Sequence, residues 1–226
     1  MTAGFQAFND SGITQIDGTY KNLSLKTKGT ATTTTAAADF STVTFTVSGV
    51  VGEPVIAVSA PGGAVGHVGN LSGGVATVVI VALGPVGTSV NWWMFTDPGN
   101  AAAFGLAVYD DSGVMVFNAA ERYMRYVGQV GLVGTGTNPS VTLPTGKTYA
   151  AFQATPACRG VVYSDIPGPS GTPWYLDTIR GVPKINGNVI SSVYAQIGHN
   201  GPFYGSGVPS PYSFSGTAFV LDVTHY

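Results

Sequence analysis

Residues 4–17 read Gly-Phe-Gln-Ala-Phe-Asn-Asp-Ser-Gly-Ile-Thr-Gln-Ile-Asp, and residues 105–118 read Gly-Leu-Ala-Val-Tyr-Asp-Asp-Ser-Gly-Val-Met-Val-Phe-Asn. The second stretch repeats the first at an offset of 101 positions and keeps Gly, Asp, Ser and Gly in the same places. A repeat of this period is too long for a solenoid, so it indicates two tandem copies of a whole domain. Each copy has about one hundred residues, which is a normal size for a domain with its own core.

The repeated stretch is predicted to be a β-hairpin. Its turn at residues 9–12 is Asn-Asp-Ser-Gly, in which the Asn and Asp side chains can hydrogen-bond the backbone just ahead. Gly12 and its counterpart Gly113 are expected to supply the positive φ that closes such a turn. Because both copies keep the turn and its flanking pattern, we interpret the hairpin as structural and not as a ligand site.

The composition predicts an all-β protein. Charged residues make up 9% of the 226 residues, whereas ordinary soluble domains carry about 25%. The 32 glycines and 14 prolines divide the chain into short Val- and Thr-rich stretches, with hardly any helical periodicity. Such stretches are typical of sandwiches and barrels. The Thr/Ala-rich stretch 29–38 is predicted to be a loop. The prediction is two tandem β-sandwich domains related by internal duplication, residues 1–100 and 104–226, with extended aromatic Gly/Pro-rich loops in the second.

Charge and hydropathy exclude two classes of partner. The net charge is −2 with a pI near 5.8, which argues against nucleic acid because phosphate neutralisation needs clustered Lys and Arg. Lys21, Lys26 and Lys28 form a local basic cluster, which we interpret as an edge strand guarded by lysine. The longest apolar run, Val75 to Leu83, is too short for membrane insertion and is predicted to be a buried strand. The single Cys158 is predicted to be a buried, inert thiol. With one cysteine and no visible signal peptide, we expect synthesis in the cytoplasm.

The sequence offers no catalytic or metal-binding pattern, so the prediction is a non-enzyme with no catalytic residues, no metal and no cofactor. His67, His199 and His225 are far apart and lack partners at metal-ligand spacing. Asp110 and its neighbours are explained by turn chemistry without calcium. One carboxylate pair, Asp165 and Asp177, keeps a glycan hydrolase open as a distant alternative.

Aromatic residues in the second half are the predicted binding residues. The stretches 167–177 and 199–209 are rich in Gly and Pro and are predicted to be loops. Flat aromatic rings with polar neighbours can bind sugars or protein surfaces; they can equally pack a loop onto the sandwich. The binding residues predicted from these stretches are Trp174, Tyr175, Phe203 and Tyr204. Tyr212 and Phe214 lie in similar surroundings.

The chain resembles a loosely defined group of tailed-bacteriophage tail-tip and tail-fibre-associated proteins. Proteins of that group often have a Gly-Leu-x-Val-Tyr-(Asn/Asp)-x-x-Gly hairpin, then a Phe-Asp or Phe-Asn pair and an Arg-Tyr segment. The residues that carry the resemblance here are 93–98 (Trp-Met-Phe-Thr-Asp-Pro), 104–113, 116–118 (Val-Phe-Asn) and 122–125 (Arg-Tyr-Met-Arg). The first copy departs from this pattern at Ile16-Asp17 and Tyr20-Lys21. The resemblance covers the central third of the chain and implies no catalytic residues.

The resemblance implies a non-enzymatic structural protein of a phage tail tip, baseplate or fibre apparatus, located in the virion. The expected partners are other phage tail proteins and copies of the chain itself, with a trimer slightly favoured as the homo-oligomer. A host surface glycan or protein is a further possible partner in host attachment. The alternative is a carbohydrate-binding adhesin or receptor-binding module, with the aromatic residues as its platform.

Overall fold

The computed structural model describes residues 6–8, 14–17, 22–99, 106–133, 138–163, 174–203 and 211–226. These residues form an all-β structure in which the strand pairs are antiparallel. In the described ranges, no helix is long and apolar enough to cross a membrane. Residues 6–99 are called the first half below, and residues 106–226 the second half.

The described residues form nineteen strands. Those of the first half are β1 (Gln6–Phe8), β2 (Thr14–Asp17), β3 (Ser24–Thr32), β4 (Thr35–Ala37), β5 (Phe40–Ser48), β6 (Val55–Ser59), β7 (Ala64–Ser72), β8 (Val75–Leu83) and β9 (Ser89–Thr96). Those of the second half are β10 (Ala107–Tyr109), β11 (Met115–Asn118), β12 (Tyr126–Leu132), β13 (Ser140–Thr142), β14 (Tyr149–Thr155), β15 (Ala157–Tyr163), β16 (Trp174–Asn186), β17 (Val189–Phe203), β18 (Tyr212–Phe214) and β19 (Gly216–Asp222).

Two hairpins and three larger sheets result. The hairpins are β1–β2 and β10–β11. A six-stranded sheet has the order β12-β19-β14-β6-β9-β3 and so takes three strands from each half. A four-stranded sheet, β4-β5-β8-β7, packs against the first-half strands of the six-stranded sheet. A five-stranded sheet, β13-β17-β16-β15-β18, packs against its second-half strands. The architecture is therefore a β-sandwich whose shared layer runs through both halves.

The two predicted hairpins are confirmed, and they have the same register. Gln6 pairs with Asp17 in the first hairpin, and the residues 101 positions later, Ala107 and Asn118, pair in the second. Both ladders are irregular at the same step before the turn. In the second turn, Asp110 Oδ1 accepts hydrogen bonds from the backbone N–H groups of Ser112 and Val114, both at 2.9 Å. The predicted Asn/Asp turn chemistry is therefore confirmed there.

The strands that follow each hairpin share one order in the six-stranded sheet. β3 pairs with β9 and β9 with β6, while β12 pairs with β19 and β19 with β14. Leu25 pairs with Phe95 and Tyr126 pairs with Leu221, and a bulge follows each pair, at Lys26 and at Val127 respectively. These bulges are also 101 positions apart, so strand order, register and irregularity all match.

The opposite layers match in the same way. β5–β8–β7 in the first half corresponds to β13–β17–β16 in the second. Ser72 and Val75 flank a two-residue turn between β7 and β8, and Asn186 and Val189 flank a two-residue turn between β16 and β17. Three strands of the larger sheets have no counterpart in the other half, namely β4 in the first half and β15 and β18 in the second. Two more differ in length, since β16 and β17 are longer than β7 and β8.

The halves are joined edge to edge about an approximate two-fold axis. Val58 of β6 pairs with Ala151 of β14, and extending this register by one residue places Ala57 opposite Phe152, which is its counterpart. Ser24 forms a second antiparallel bridge with Tyr123. There the Met124 N–H donates to the Leu23 carbonyl at 2.9 Å.

Four clusters of buried side chains make up the core. One fills the first-half sandwich, around Val78, Ile80 and Met94, and a second fills the second-half sandwich, around Leu132, Ile190 and Val220. A third lies at the junction and combines corresponding residues of both halves: Leu23 with Met124, Ala57 with Phe152, and Phe95 with Leu221. A fourth, smaller cluster joins Phe40 and Val65 to Val182.

Two sequence predictions about loops are wrong. The Thr/Ala-rich stretch 29–38 lies mostly in β3 and β4, because Thr is a good strand former and alternates with small residues there. In the second half, 174–177 belongs to β16 and 199–203 to β17. Gly and Pro are loop signals in these stretches, but Gly201 and Pro202 lie between the pairs Leu176–Asn200 and Trp174–Phe203, at an irregularity of the ladder that accommodates such residues. The remaining residues of the predicted loops 167–177 and 199–209 lie outside the described ranges.

Gly113 provides a test of the hairpin turn. Its φ is +79°, and a β-carbon there would have no atom within 4 Å, so Gly113→Ala introduces backbone strain without a clash. We expect a loss of about 1 kcal/mol in the free energy of unfolding, measured with urea. Gly99→Ala is the matched control, because Gly99 has no positive φ and a β-carbon there would make ordinary contact. Equal stability of the two variants would contradict the prediction. Gly12, the counterpart of Gly113, lies outside the described residues.

Candidate functional site

The second half carries additional sheet area that the first half lacks. β16 has 13 residues and β17 has 15, whereas β7 and β8 have nine each. The extended ends of β16 and β17 pair with each other, and β15 and β18 continue the sheet beyond them. This extension contains most of the aromatic residues that the sequence nominates for binding.

The predicted binding residues are brought together only in part. Trp174 and Phe203 are backbone partners at the open end of the β16–β17 pair. Tyr175 is half-buried and stands opposite Tyr163 on β15. Tyr204 lies outside the described residues. The four residues therefore belong to the end of a long hairpin or directly follow it.

Tyr212 and Phe214 form an exposed aromatic pair on β18. Their rings are 5.7 Å apart, and Phe214 is 61% exposed and Tyr212 36% exposed. The Tyr212 ring lies directly over Gly160, since a β-carbon on Gly160 would approach Tyr212 Cε1 to 2.4 Å. Glycine at this position lets the ring lie flat on the sheet. The Tyr212 hydroxyl is 3.5 Å from the Thr178 hydroxyl, so the platform offers polar groups beside its rings.

A partly buried arginine lies in the same extension. Arg180 stands in register with Cys158, which in turn stands opposite Phe214. Its guanidinium donates to Gln153 Oε1 at 2.8 Å, while its buried Nε lacks a partner. Burial lowers the pKa of Arg180 from its ordinary value. Cys158 is a free, half-buried thiol, which is more accessible than the buried thiol predicted.

Two clefts occupy corresponding positions beside the bulges of β3 and β12. The first-half cleft has a volume of about 360 Å³ and contains Lys26, Asp97, Glu121 and Arg122. The second-half cleft has a volume of about 620 Å³, within the usual range for ligand sites. Its lining residues are Tyr126, Val127, Leu143, Pro144, Lys147, Tyr149 and Asp222. One cleft is therefore charged and the other mainly apolar.

The different character of the two clefts comes from different residues at two corresponding positions. Lys26 in the first half corresponds to Val127, and Gly49 corresponds to Leu143. The Lys26 ammonium extends over Gly49, where a β-carbon would lie 3.2 Å from Nζ. Val127 is too short to cover the same space in the second half. The sequence analysis missed this cleft, although the offset of 101 aligns Lys26 with Val127 and could have pointed to it.

Asp222 is the charged group at the base of the second-half cleft. Its carboxylate accepts a hydrogen bond from the Thr224 N–H at 2.9 Å and lies 3.2 Å from Lys147 Nζ and 3.6 Å from Arg125. Burial opposes ionisation of this carboxyl, but hydrogen bonds from Thr224 and Lys147 and the charge of Arg125 outweigh it and lower its pKa. Asp222 is therefore a fixed, ionised group at neutral pH.

The other titratable residues named from the sequence do not converge. In the part of the chain that the structure describes, no three His, Cys, Asp or Glu side chains gather as a metal site would require. Gln196 donates from its side chain to Asp177 Oδ1, and Asp165 lies outside the described residues.

Comparison with known proteins finds no matching family model, no similar characterised protein and no similar solved structure.

The lowered pKa of Asp222 gives a pH-dependent stability. A carboxyl whose pKa falls on folding stabilises the folded protein at pH values above the ordinary pKa of that carboxyl, which is 3.8. This stabilisation is lost as pH falls through the folded-state pKa. We therefore expect Asp222→Asn to be less stable than wild type at pH 7, with the difference narrowing below about pH 4. Urea midpoints across this pH range measure it. The control is Asp111→Asn on an exposed turn; a constant difference between wild type and Asp222→Asn would contradict the assignment.

Proposed function

We propose that this chain is a non-enzymatic structural component of a bacteriophage tail tip, baseplate or fibre apparatus. It mediates assembly and host contact in the virion after synthesis in the host cytoplasm. The observation that carries the proposal is the β10–β11 hairpin, on which the resemblance to tail proteins rests. Its partners are other tail proteins and copies of the chain.

The hairpin has the properties of a fixed docking element. Its base is anchored, because the Asn22 backbone and side-chain amides both donate to the Val116 carbonyl at 3.1 Å. Phe117 stacks on Tyr123 with ring centroids 4.6 Å apart. Its outer residues remain exposed, namely Leu106, Tyr109 and Val114. Covering such apolar side chains with a neighbouring protein stabilises an assembly by roughly 25 cal/mol per Å².

We also infer that residues 1–100 and 104–226 are two β-sandwich domains derived from one by duplication. The support is the match of hairpin register, of bulge position and of strand order in both layers. A connector built in this way has a rigid junction, because β6 and β14 belong to one sheet. Rigid connection of two similar modules suits a component that must hold neighbours at a fixed angle.

Particle incorporation tests the structural role. Particles are assembled from a genome that carries Tyr109→Ser together with Val114→Ser, and the purified particles are analysed by mass spectrometry. We expect the wild-type chain in the particles, cross-linked to other tail proteins, and at least about a tenfold loss of the variant, since apolar contacts dominate such interfaces. Asp111→Asn on the same turn is the control. Absence of the wild-type chain from particles overturns the proposal.

A carbohydrate-binding adhesin is the second candidate, and the Tyr212–Phe214 platform favours it. An exposed pair of rings on a flat sheet, with the Thr178 hydroxyl beside it, can stack against a sugar ring and hydrogen-bond its hydroxyls. The predicted binding residues at the hairpin end, Trp174, Phe203 and Tyr204, belong to this candidate as well.

Glycan-array binding by the full chain tests the adhesin. We expect wild-type binding to at least one glycan and a loss of about tenfold or more in Tyr212→Ala/Phe214→Ala, because each ring supplies stacking area. Tyr194→Ala, which removes another exposed tyrosine of the same sheet, is the matched control. If wild type binds no glycan, or if the control loses as much binding, the adhesin role is rejected.

A further inference from the structure

The six-stranded sheet has two free edges that hold corresponding positions. In the described part of the chain, β9 is the only sheet neighbour of β3, whose other edge meets residues 122–123 at Ser24 and Leu25 and is free beyond them, and β19 is the only sheet neighbour of β12. An edge strand presents backbone N–H and C=O groups that another strand can pair with. Proteins usually protect such edges, and lysine side chains are a common means of protection. The two edges differ in this respect.

The β3 edge is protected. Lys26 occupies its bulge and Lys28 follows two residues later, and both are exposed. A strand that paired with β3 would have to desolvate one or both ammonium groups, which is costly without a carboxylate partner. Lys28 also donates to the Tyr226 carbonyl, which holds the chain end beside this edge. The sequence-based interpretation of a lysine-guarded edge strand is confirmed for these two lysines.

The β12 edge is open. At the positions that correspond to Lys26 and Lys28, it carries Val127 and Gln129, and its seven residues include no charged side chain. Tyr126 is 55% exposed and Val127 is 39% exposed. The large apolar cleft described above begins at these two residues. A strand added to β12 would therefore gain backbone pairing and also cover apolar surface.

We propose that the occupant is β12 of a second copy, paired antiparallel about a two-fold axis. The chain already joins its own halves in this manner, by the β6–β14 contact and by the bridge at Ser24 and Tyr123. An uncharged strand can face its own copy without like-charge repulsion. The partner copy then completes the cleft, because its strand lies along the open side beside Tyr126.

The guarded β3 edge limits this assembly to two copies. If both edges were open, strand addition could continue from copy to copy and form a fibre. Since β12 is the unguarded edge of the six-stranded sheet in the described part of the chain, isologous pairing through it uses that edge of each copy and closes. The proposal therefore differs from the trimer that the sequence favoured. It concerns the purified chain alone and does not depend on the virion role.

Placing lysines on β12 at the positions that correspond to Lys26 and Lys28 of β3 tests the proposal. The variant is Val127→Lys/Gln129→Lys in the full chain, and the mass in solution is measured by sedimentation over a range of micromolar concentrations. We expect a wild-type dimer, and for the variant a dissociation constant raised at least about tenfold, because like charges face each other across the axis. The matched control, Thr30→Lys/Thr32→Lys, adds the same charge to exposed positions on β3 and should remain a dimer.

Amide hydrogen exchange gives a second readout. Exchange at residues 126–132 should slow as wild-type concentration rises, while exchange at 24–32 should stay constant. If the double variant fails to fold, the single Gln129→Lys takes its place. A wild-type monomer, a trimer, or a dimer that persists in the folded lysine variant overturns the proposal. A monomer whose β12 binds an unrelated strand also overturns it.

Discussion

The antiparallel contact between β6 and β14 is the constraint on which the rest of the structure depends. It turns two three-stranded sheets into one six-stranded sheet and brings Ala57 opposite Phe152 at its centre. Because this contact uses one edge of each three-stranded unit, the six-stranded sheet in the described part of the chain ends at β3 and at β12. The position of the clefts, the exposure of the edges and the burial of the junction all follow from that one pairing.

The energy of the junction comes mainly from apolar burial on the outer face of the shared sheet. Phe95 and Leu221 are fully buried there, and Tyr226 packs against Phe95 with ring centroids 5.8 Å apart. Burying such a side chain contributes about 1.5–3 kcal/mol. Cations fix the last residues over this face, since Arg122 donates to the His225 carbonyl at 2.7 Å and Arg125 lies over the Tyr226 ring. These contacts hold residues 225–226 against the outer face of the shared sheet.

Local features of the fold could be predicted from the sequence, and non-local ones could not. The Asn-Asp-Ser-Gly turn specified the hairpin, and the apolar run of β8 specified that strand from Val75 to Leu83. The loop prediction for the Thr/Ala-rich stretch is wrong because it rests on composition, whereas backbone pairing with β9 decides the conformation. Strand partners and sheet edges depend on contacts between residues about a hundred positions apart. For this reason the shared sheet, the open β12 edge and the cleft beside Val127 had no sequence signal except the offset of the repeat.

The two halves carry different side chains mainly at positions where the change costs the fold little stability. Register, bulges and strand order agree between the halves, because a slip of one residue would move every core side chain to the wrong face. Lys26 and Val127 occupy corresponding bulges at the sheet edges and are both exposed, so core packing does not restrict either side chain. Gly49 and Leu143 differ in a connection, where added volume is accommodated. The fold thus keeps strand order and register alike in its two halves while it leaves their edges and clefts free to take different chemistry, and those are the surfaces on which we propose contact with other molecules.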